Sequence, residues 1–249
     1  SDVALLLSVM AGADPLDPIS ITESPERYRE PLARDFKGAR IAWSPDLGQF
    51  PVAPVVLSTL EGSLTHFTDL GCNVEPAHPD FSGAADIFQV LRSGGFAAGH
   101  AQELEHYRDQ MKDTVIWNTE QGLKLTALDV SRAQAQRAVL FQRVHEFFVN
   151  YDFLLLPVTQ VLPFPIETDW VRDINGVEMK TYIDWMMSCS LISLTEHPAL
   201  SMPCGFSPDG LPVGLQIVGP ARGELDVLQL GFAFEQCTRT ADRHPDITL

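Results

Sequence analysis

The sequence predicts an α/β fold, a mixed β-sheet covered by helices. Three observations carry that expectation. A strand–helix–strand order spans residues 39–77, a continuous apolar run (FLLLPVTQV) occupies 153–161, and two strand-like runs flank a Pro-Asp-Gly turn within PALSMPCGFSPDGLPVGLQIVG, residues 198–219. Stretches with helical spacing of apolar residues separate these elements.

Taken in order, VALLLSVMAGA predicts a short helix over 3–11, capped by Ser1 or Asp2 and ended by Gly12. It has the length of a signal-peptide apolar region, but no basic segment precedes it. A chain that opens inside a helix without Met reads as a piece of something longer. Residues 19–36 carry Pro25 and Pro31 and read as a surface loop. ARIAWSPDL (39–47) predicts a strand, Pro54 to Leu70 a helix closed by Gly71, and CNVEPA (72–77) a second strand parallel to the first. Residues 82–111 and 113–149 predict two helical segments, the second with Val130, Ala133, Ala138, Phe141, Val144 and Phe148 at helical spacing. The run at 153–161 suits a buried strand. A proline-rich loop and a polar excursion lead to a predicted helix over 180–195. The hairpin follows, and then a final amphipathic helix at 224–239. No internal repeat interrupts this order, so residues 1–249 read as one α/β unit.

Composition narrows the function classes. Of 249 residues, 45% are hydrophobic, as in ordinary globular proteins. The formal net charge is −16, from 17 Lys+Arg against 33 Asp+Glu, with the acids dispersed. Nucleic-acid binding needs a basic face, and none is evident. No apolar run reaches the length of a membrane span. Cys72, Cys189, Cys204 and Cys237 are far apart in sequence, which fits reduced thiols and a cytoplasmic setting rather than a disulfide framework or zinc site.

Self-contained catalytic patterns are missing from the sequence. There is no GxSxG elbow, no HExxH and no SxxK. His145-Glu146 is followed by Phe147-Phe148, and the spacing of His100 and His106 does not place both on one helical face. Ser93-Gly94-Gly95 lacks the lysine and the glycine frame of a phosphate cradle. No metal or cofactor is implied by any spacing.

Three blocks carry a resemblance. DVALLLSVMAGADPLDP, FFVNYDFLLLPVTQVLPFPI and HPALSMPCGFSPDGLPVGLQIVGP together resemble the carboxy-terminal half of the amidase signature family, along essentially the whole chain. The last block is the most specific, with Ser201, Pro203 and Gly205 ahead of GLPVGLQIVG. The resemblance implies an amidase-signature-like partial fold and a hydrolase acting on a small amide, without cofactor. It also implies that the Ser–cis-Ser–Lys machinery lies in an amino-terminal half, since this sequence contains neither the GGSSGGS-like signature nor the lysine segment. No catalytic residue can therefore be assigned here, and the chain alone is expected to be inactive.

By the same resemblance, Tyr182, Trp185 and Met186 stand where relatives build the substrate pocket, with Trp117 and Phe164 as further candidates. A helix over 180–195 would put Tyr182, Trp185 and Met186 on one face, either as a pocket wall or as a core-packing stripe. The register places Met186 where glutamine-using relatives carry an aspartate, which favours hydrophobic or aromatic amides. Glu196 replaces the family's usual glycine and puts the local loop geometry in question. Two alternatives stay open: a non-catalytic amidase-like scaffold, and a piece of the glutamine-using component of a tRNA-dependent amidotransferase. Half a domain leaves a sheet edge and an apolar face uncovered, so a homo-oligomer, or a partner burying those surfaces, is expected.

Overall fold

The computed structural model describes residues 1–243. Its strands are β1 (Arg40–Trp43), β2 (Asn73–Pro76), β3 (Phe153–Pro157), β4 (Asp173–Ile174), β5 (Val177–Glu178), β6 (Ala199–Phe206) and β7 (Pro212–Val218). Five of them form the main sheet in the order β2-β1-β3-β7-β6, while β4 and β5 pair as a separate short hairpin. β1 pairs in parallel with both β2 and β3, whereas β7 runs antiparallel to β3 and to β6. The sheet is mixed, as expected. Central β3 is buried along its whole length, which explains its unbroken apolar sequence.

Seven helices surround or flank the sheet among the described residues: α1 (Asp2–Met10), α2 (Pro54–Asp69), α3 (Ala84–Tyr107), α4 (Asp113–Gly122), α5 (Ala127–Phe147), α6 (Met187–Ser193) and α7 (Glu224–Thr238). α2 makes the β1–β2 crossover and starts with Pro54, where a missing N–H costs nothing. The predicted single helix over 113–149 is in fact α4 and α5. The break falls after Gly122, and Thr126 with Asp129 forms a reciprocal capping box that restarts the helix. Among the described residues no helix is long and apolar enough to cross a membrane.

The prolines and glycines of the β6–β7 hairpin have separate reasons. Pro203 lies on edge strand β6, where a missing donor is tolerated. The register shifts between Pro203 and Gly205, so Cys204 is the extra residue of a bulge. A Cβ at Gly214 would come within 3.0 Å of Val158 Cγ2, and one at Gly219 within 2.5 Å of Val227 Cγ2. Valine side chains packed against the strand backbone therefore select these two glycines, and the bulge belongs to Cys204.

Glu196 resolves the question about its loop. It adopts φ +57°, a left-handed conformation that glycine would take without strain. Its carboxylate pairs with Arg137 at 2.6 Å, and Arg137 Nε also donates to the Leu194 carbonyl at 2.9 Å. The glycine-like geometry is kept and the side chain is tethered.

Next to this loop, His197 is 6% exposed between the rings of Phe141 and Phe148, each with its centroid 5.2 Å away. Its Nδ1 donates to the Thr195 carbonyl at 2.8 Å, while Nε2 is buried without a partner among the described residues. Burial holds the imidazole below its usual pKa, reinforced by His145 and opposed by the Thr195 bond and Glu196. The unfolded chain therefore binds a proton before the folded one does. Stability is expected to be full above about pH 6.5 and to fall as the pH drops through the folded-state pKa. Thermal unfolding from about pH 7.5 down to about pH 5 should show this slope, and His197→Phe should flatten it. Equal slopes would remove His197 as the cause.

Candidate functional site

The segment 180–187 is where the structure departs most from the predicted helix. The Asp184 carboxylate accepts from the Thr181 N–H at 2.8 Å and from its hydroxyl at 2.9 Å, closing a local turn. One 3-10 turn, Asp184–Met186, then leads into α6. Unlike the box at Thr126–Asp129, the return bond to the threonine hydroxyl comes from the Ile183 N–H and not from the Asp184 N–H, and the segment continues as a 3-10 turn instead of an α-helix. Tyr182, Trp185 and Met186 consequently do not share one helical face.

The aromatic candidates separate into two pairs, all half-buried. Tyr182 meets Trp117 of α4 edge to face, centroids 6.2 Å apart, and Trp185 meets Phe164 of the β3 exit loop in the same way at 5.2 Å. Met186 caps α6, its carbonyl accepting from the Ser190 hydroxyl at 3.0 Å. The neighbouring Met187 lines a cleft of about 470 Å3 with Trp117, Phe88, Leu125 and Ile183. The cleft runs between α3, α4 and the 180–187 segment.

Polar contacts hold this arrangement in place. The Tyr182 hydroxyl accepts from Arg92 Nε at 3.2 Å and Nη2 at 2.9 Å, and also from Asn118 Nδ2. Asn118 Nδ2 donates to the Thr114 carbonyl as well, at 2.8 Å. Fully buried Gln160 accepts from the Met187 N–H at 2.6 Å and donates to the Pro51 carbonyl at 3.0 Å. The Ser188 hydroxyl donates to the Val158 carbonyl at 2.7 Å. The start of α6 is thus fastened to the end of β3.

Sequence reasoning missed Arg92, Asn118 and Gln160. Arg92 precedes Ser93-Gly94-Gly95, and all four residues form the interior of α3 rather than a loop. An Asn directly after an apolar run (VIW) and a Gln next to Val161-Leu162 were the available signal, but their partners are 64 and 27 residues away in sequence. Two polar atoms here are buried without a hydrogen-bond partner among the described residues: the donor Trp185 Nε1 and the acceptor Asn118 Oδ1. The buried thiols are poor nucleophiles, since desolvation pushes Cys204 and Cys72 up to about 11.

Comparison with known proteins places this architecture. The family model described as Amidase matches residues 1–228. The chain belongs to the amidase family. It is 33% identical over 251 residues to an acylamidase of Rhodococcus erythropolis, covering 98% of this chain and 52% of that protein. It is 30% identical over 258 residues to an amidase of Pseudomonas putida, covering 99% and 53%. A component of the glutamyl-tRNA(Gln) amidotransferase of Streptococcus equi subsp. zooepidemicus (strain H70) is 27% identical over 270 residues, with 98% and 54% covered. Among solved structures, a bacterial aryl acylamidase of the amidase signature family superposes with a TM-score of 0.81 at 26% identity, covering 93% of this chain and 50% of that one. The chain spans about half the length of the curated relatives it matches. Along that half, amidase-family membership accounts for the mixed sheet, the hairpin and the apolar exit loop together.

Proposed function

We propose that this chain is the C-terminal portion of an amidase-type hydrolase that cleaves the C–N bond of a small carboxamide. The observation that carries the reading is the family match over residues 1–228, in a chain half as long as its amidase relatives. In this reading an N-terminal half supplies the serine. Its hydroxyl adds to the amide carbonyl, the C–N bond breaks as the amine leaves with a proton, and water cleaves the resulting ester. This chain alone supplies binding surface and no nucleophile.

Two aromatic pairs support a reading of the substrate class. The Trp117–Tyr182 and Phe164–Trp185 pairs offer flat apolar contact, with Met186 next to Trp185 in the chain, and Trp117 opens onto the 470 Å3 cleft. An aromatic or hydrophobic amide fits these apolar surfaces better than glutamine does. The similarity to a glutamyl-tRNA(Gln) amidotransferase component supports a second reading, a piece of a tRNA-dependent amidotransferase. Met186, which the family resemblance sets against an aspartate of glutamine-using members, weighs against it.

The test combines this chain with a polypeptide carrying the signature half and supplies 4-nitroacetanilide. Expected are no hydrolysis and no fluorophosphonate adduct for the chain alone, and one adduct with 4-nitroaniline release for the pair. A well-folded pair without turnover would leave the scaffold reading; glutaminase activity instead of anilide hydrolysis would favour the amidotransferase one.

The same reading needs a partner for the exposed apolar surface. Val3, Leu5, Leu6, Val9 and Met10 of α1, with Leu16 and Ile19 beyond it, are each more than half exposed. Large exposed apolar side chains gathered on one short segment mark an interaction surface. Without the other half, the chain is expected to self-associate in sedimentation velocity, and Leu5→Glu with Val9→Glu should shift it toward monomer. A monodisperse wild-type monomer would contradict this.

A further inference from the structure

We propose that a second cleft, on the face of α3 turned toward the end of α6, binds the carboxylate of an apolar organic acid. The cleft has a volume of about 460 Å3, and its walls include Phe88, Leu91, Arg92, Phe96, His100 and Leu194. Among the described residues no aspartate or glutamate lines it, on a chain whose formal net charge is −16.

The decisive group is Arg92. Four arginines are half-buried: Arg27, Arg92, Arg137 and Arg143. Arg27 pairs with Glu23, Arg137 with Glu196 and Arg143 with Asp80, whereas Arg92 has no acidic partner among the described residues. Its guanidinium donates to the Tyr182 phenol and lies 4.8 Å from the centroid of Phe96, 5.7 Å from Tyr182 and 5.8 Å from Phe88. Three rings strip water from this cation without supplying an opposite charge. Cation–π contact and one phenol compensate part of that loss, while a carboxylate would form charge-assisted bonds roughly twice as strong as neutral ones.

The other cation on the wall, Arg137, is already occupied by Glu196 and the Leu194 carbonyl. That leaves the charge of Arg92 facing an apolar floor, with the His100 ring tilted against Phe96 at 5.5 Å. A small anion would satisfy the charge but not the floor. An acid with an aromatic or alkyl body satisfies both, because its apolar surface leaves water as its charge is paired. Amide hydrolysis releases such acids, but binding here needs no turnover. Failure of the hydrolase reading would leave this inference standing, and failure of this one would leave the hydrolase reading standing.

Gly95 makes the test clean, because it lines the cleft and a Cβ there meets nothing within 4 Å. Calorimetry on the whole chain at low salt would compare 4-phenylbutyrate with its neutral isostere 4-phenylbutanamide. The acid is expected to bind at least tenfold more tightly than the amide. Gly95→Glu, which places a carboxylate in the cleft, should weaken the acid at least tenfold, whereas Gly95→Gln should not. Equal binding of acid and amide, binding of neither, or an unchanged affinity in Gly95→Glu would overturn the proposal. So would inorganic phosphate binding as tightly as the acid, since the apolar floor would then contribute nothing.

Discussion

Gly122→Ala is expected to lower the unfolding free energy by about 3 kcal/mol, a large effect for one methyl group. A Cβ at this position would overlap the backbone carbonyl of Ser93 and come within 2.7 Å of Ala97 Cβ. Neither neighbour is a flexible side-chain end, so α3 and α4 must move apart. α4 carries Trp117 and Asn118, and the displacement therefore reaches the cleft as well as the core. Gly99→Ala, on α3 with nothing within 4 Å of its Cβ, is the control. There the same methyl group should stabilise the protein by up to about 1 kcal/mol, through helix propensity alone. Urea denaturation of the two variants separates packing from propensity, and similar shifts of the same sign would refute the close-packing account.

Tyr182→Phe is expected to cost about 2–3 kcal/mol, because it leaves a guanidinium and an amide without their shared acceptor. The phenol ties the irregular 180–187 segment to α3 through Arg92 and to α4 through Asn118. Losing it should also loosen the Trp185–Phe164 pair, which would appear as a change in tryptophan emission in the folded protein. A double-mutant cycle with Arg92→Met measures the link directly. The double variant should lose at least about 1 kcal/mol less than the two single losses added together. Strict additivity would mean that Tyr182 acts through ring packing and not through its hydroxyl.

Periodicity made most of the architecture legible. The α2 crossover, buried β3, the β6–β7 hairpin and α7 follow from local apolar spacing and turn residues, which act over a few positions in the chain. The β4–β5 hairpin carries a readable signal too, Asn175-Gly176, both at positive φ. Its strands are only two residues each, too short for alternation to show, so the segment reads as a polar excursion. The α4–α5 break is signalled by Gly122 and the Thr126–Asp129 capping box, but the apolar spacing read for this segment begins at Val130, beyond the break, and so carries no sign of it.

By itself, the sequence determined the fold class, the order of the main elements and the family, because these rest on short-range patterns repeated along the chain. Only the tertiary structure decided how the site residues are grouped. Thr181 and Asp184 close a turn where a helix was predicted, so Tyr182 turns to Arg92 and Asn118 while Trp185 turns to Phe164. The chain also leaves Arg92 without a counter-charge among the described residues, although it carries acids in excess. The physical reason is the same in each case. Hydrogen bonds and charges are satisfied by groups that meet in space, and their separation along the chain, 90 residues for Arg92 and Tyr182, leaves no periodic trace.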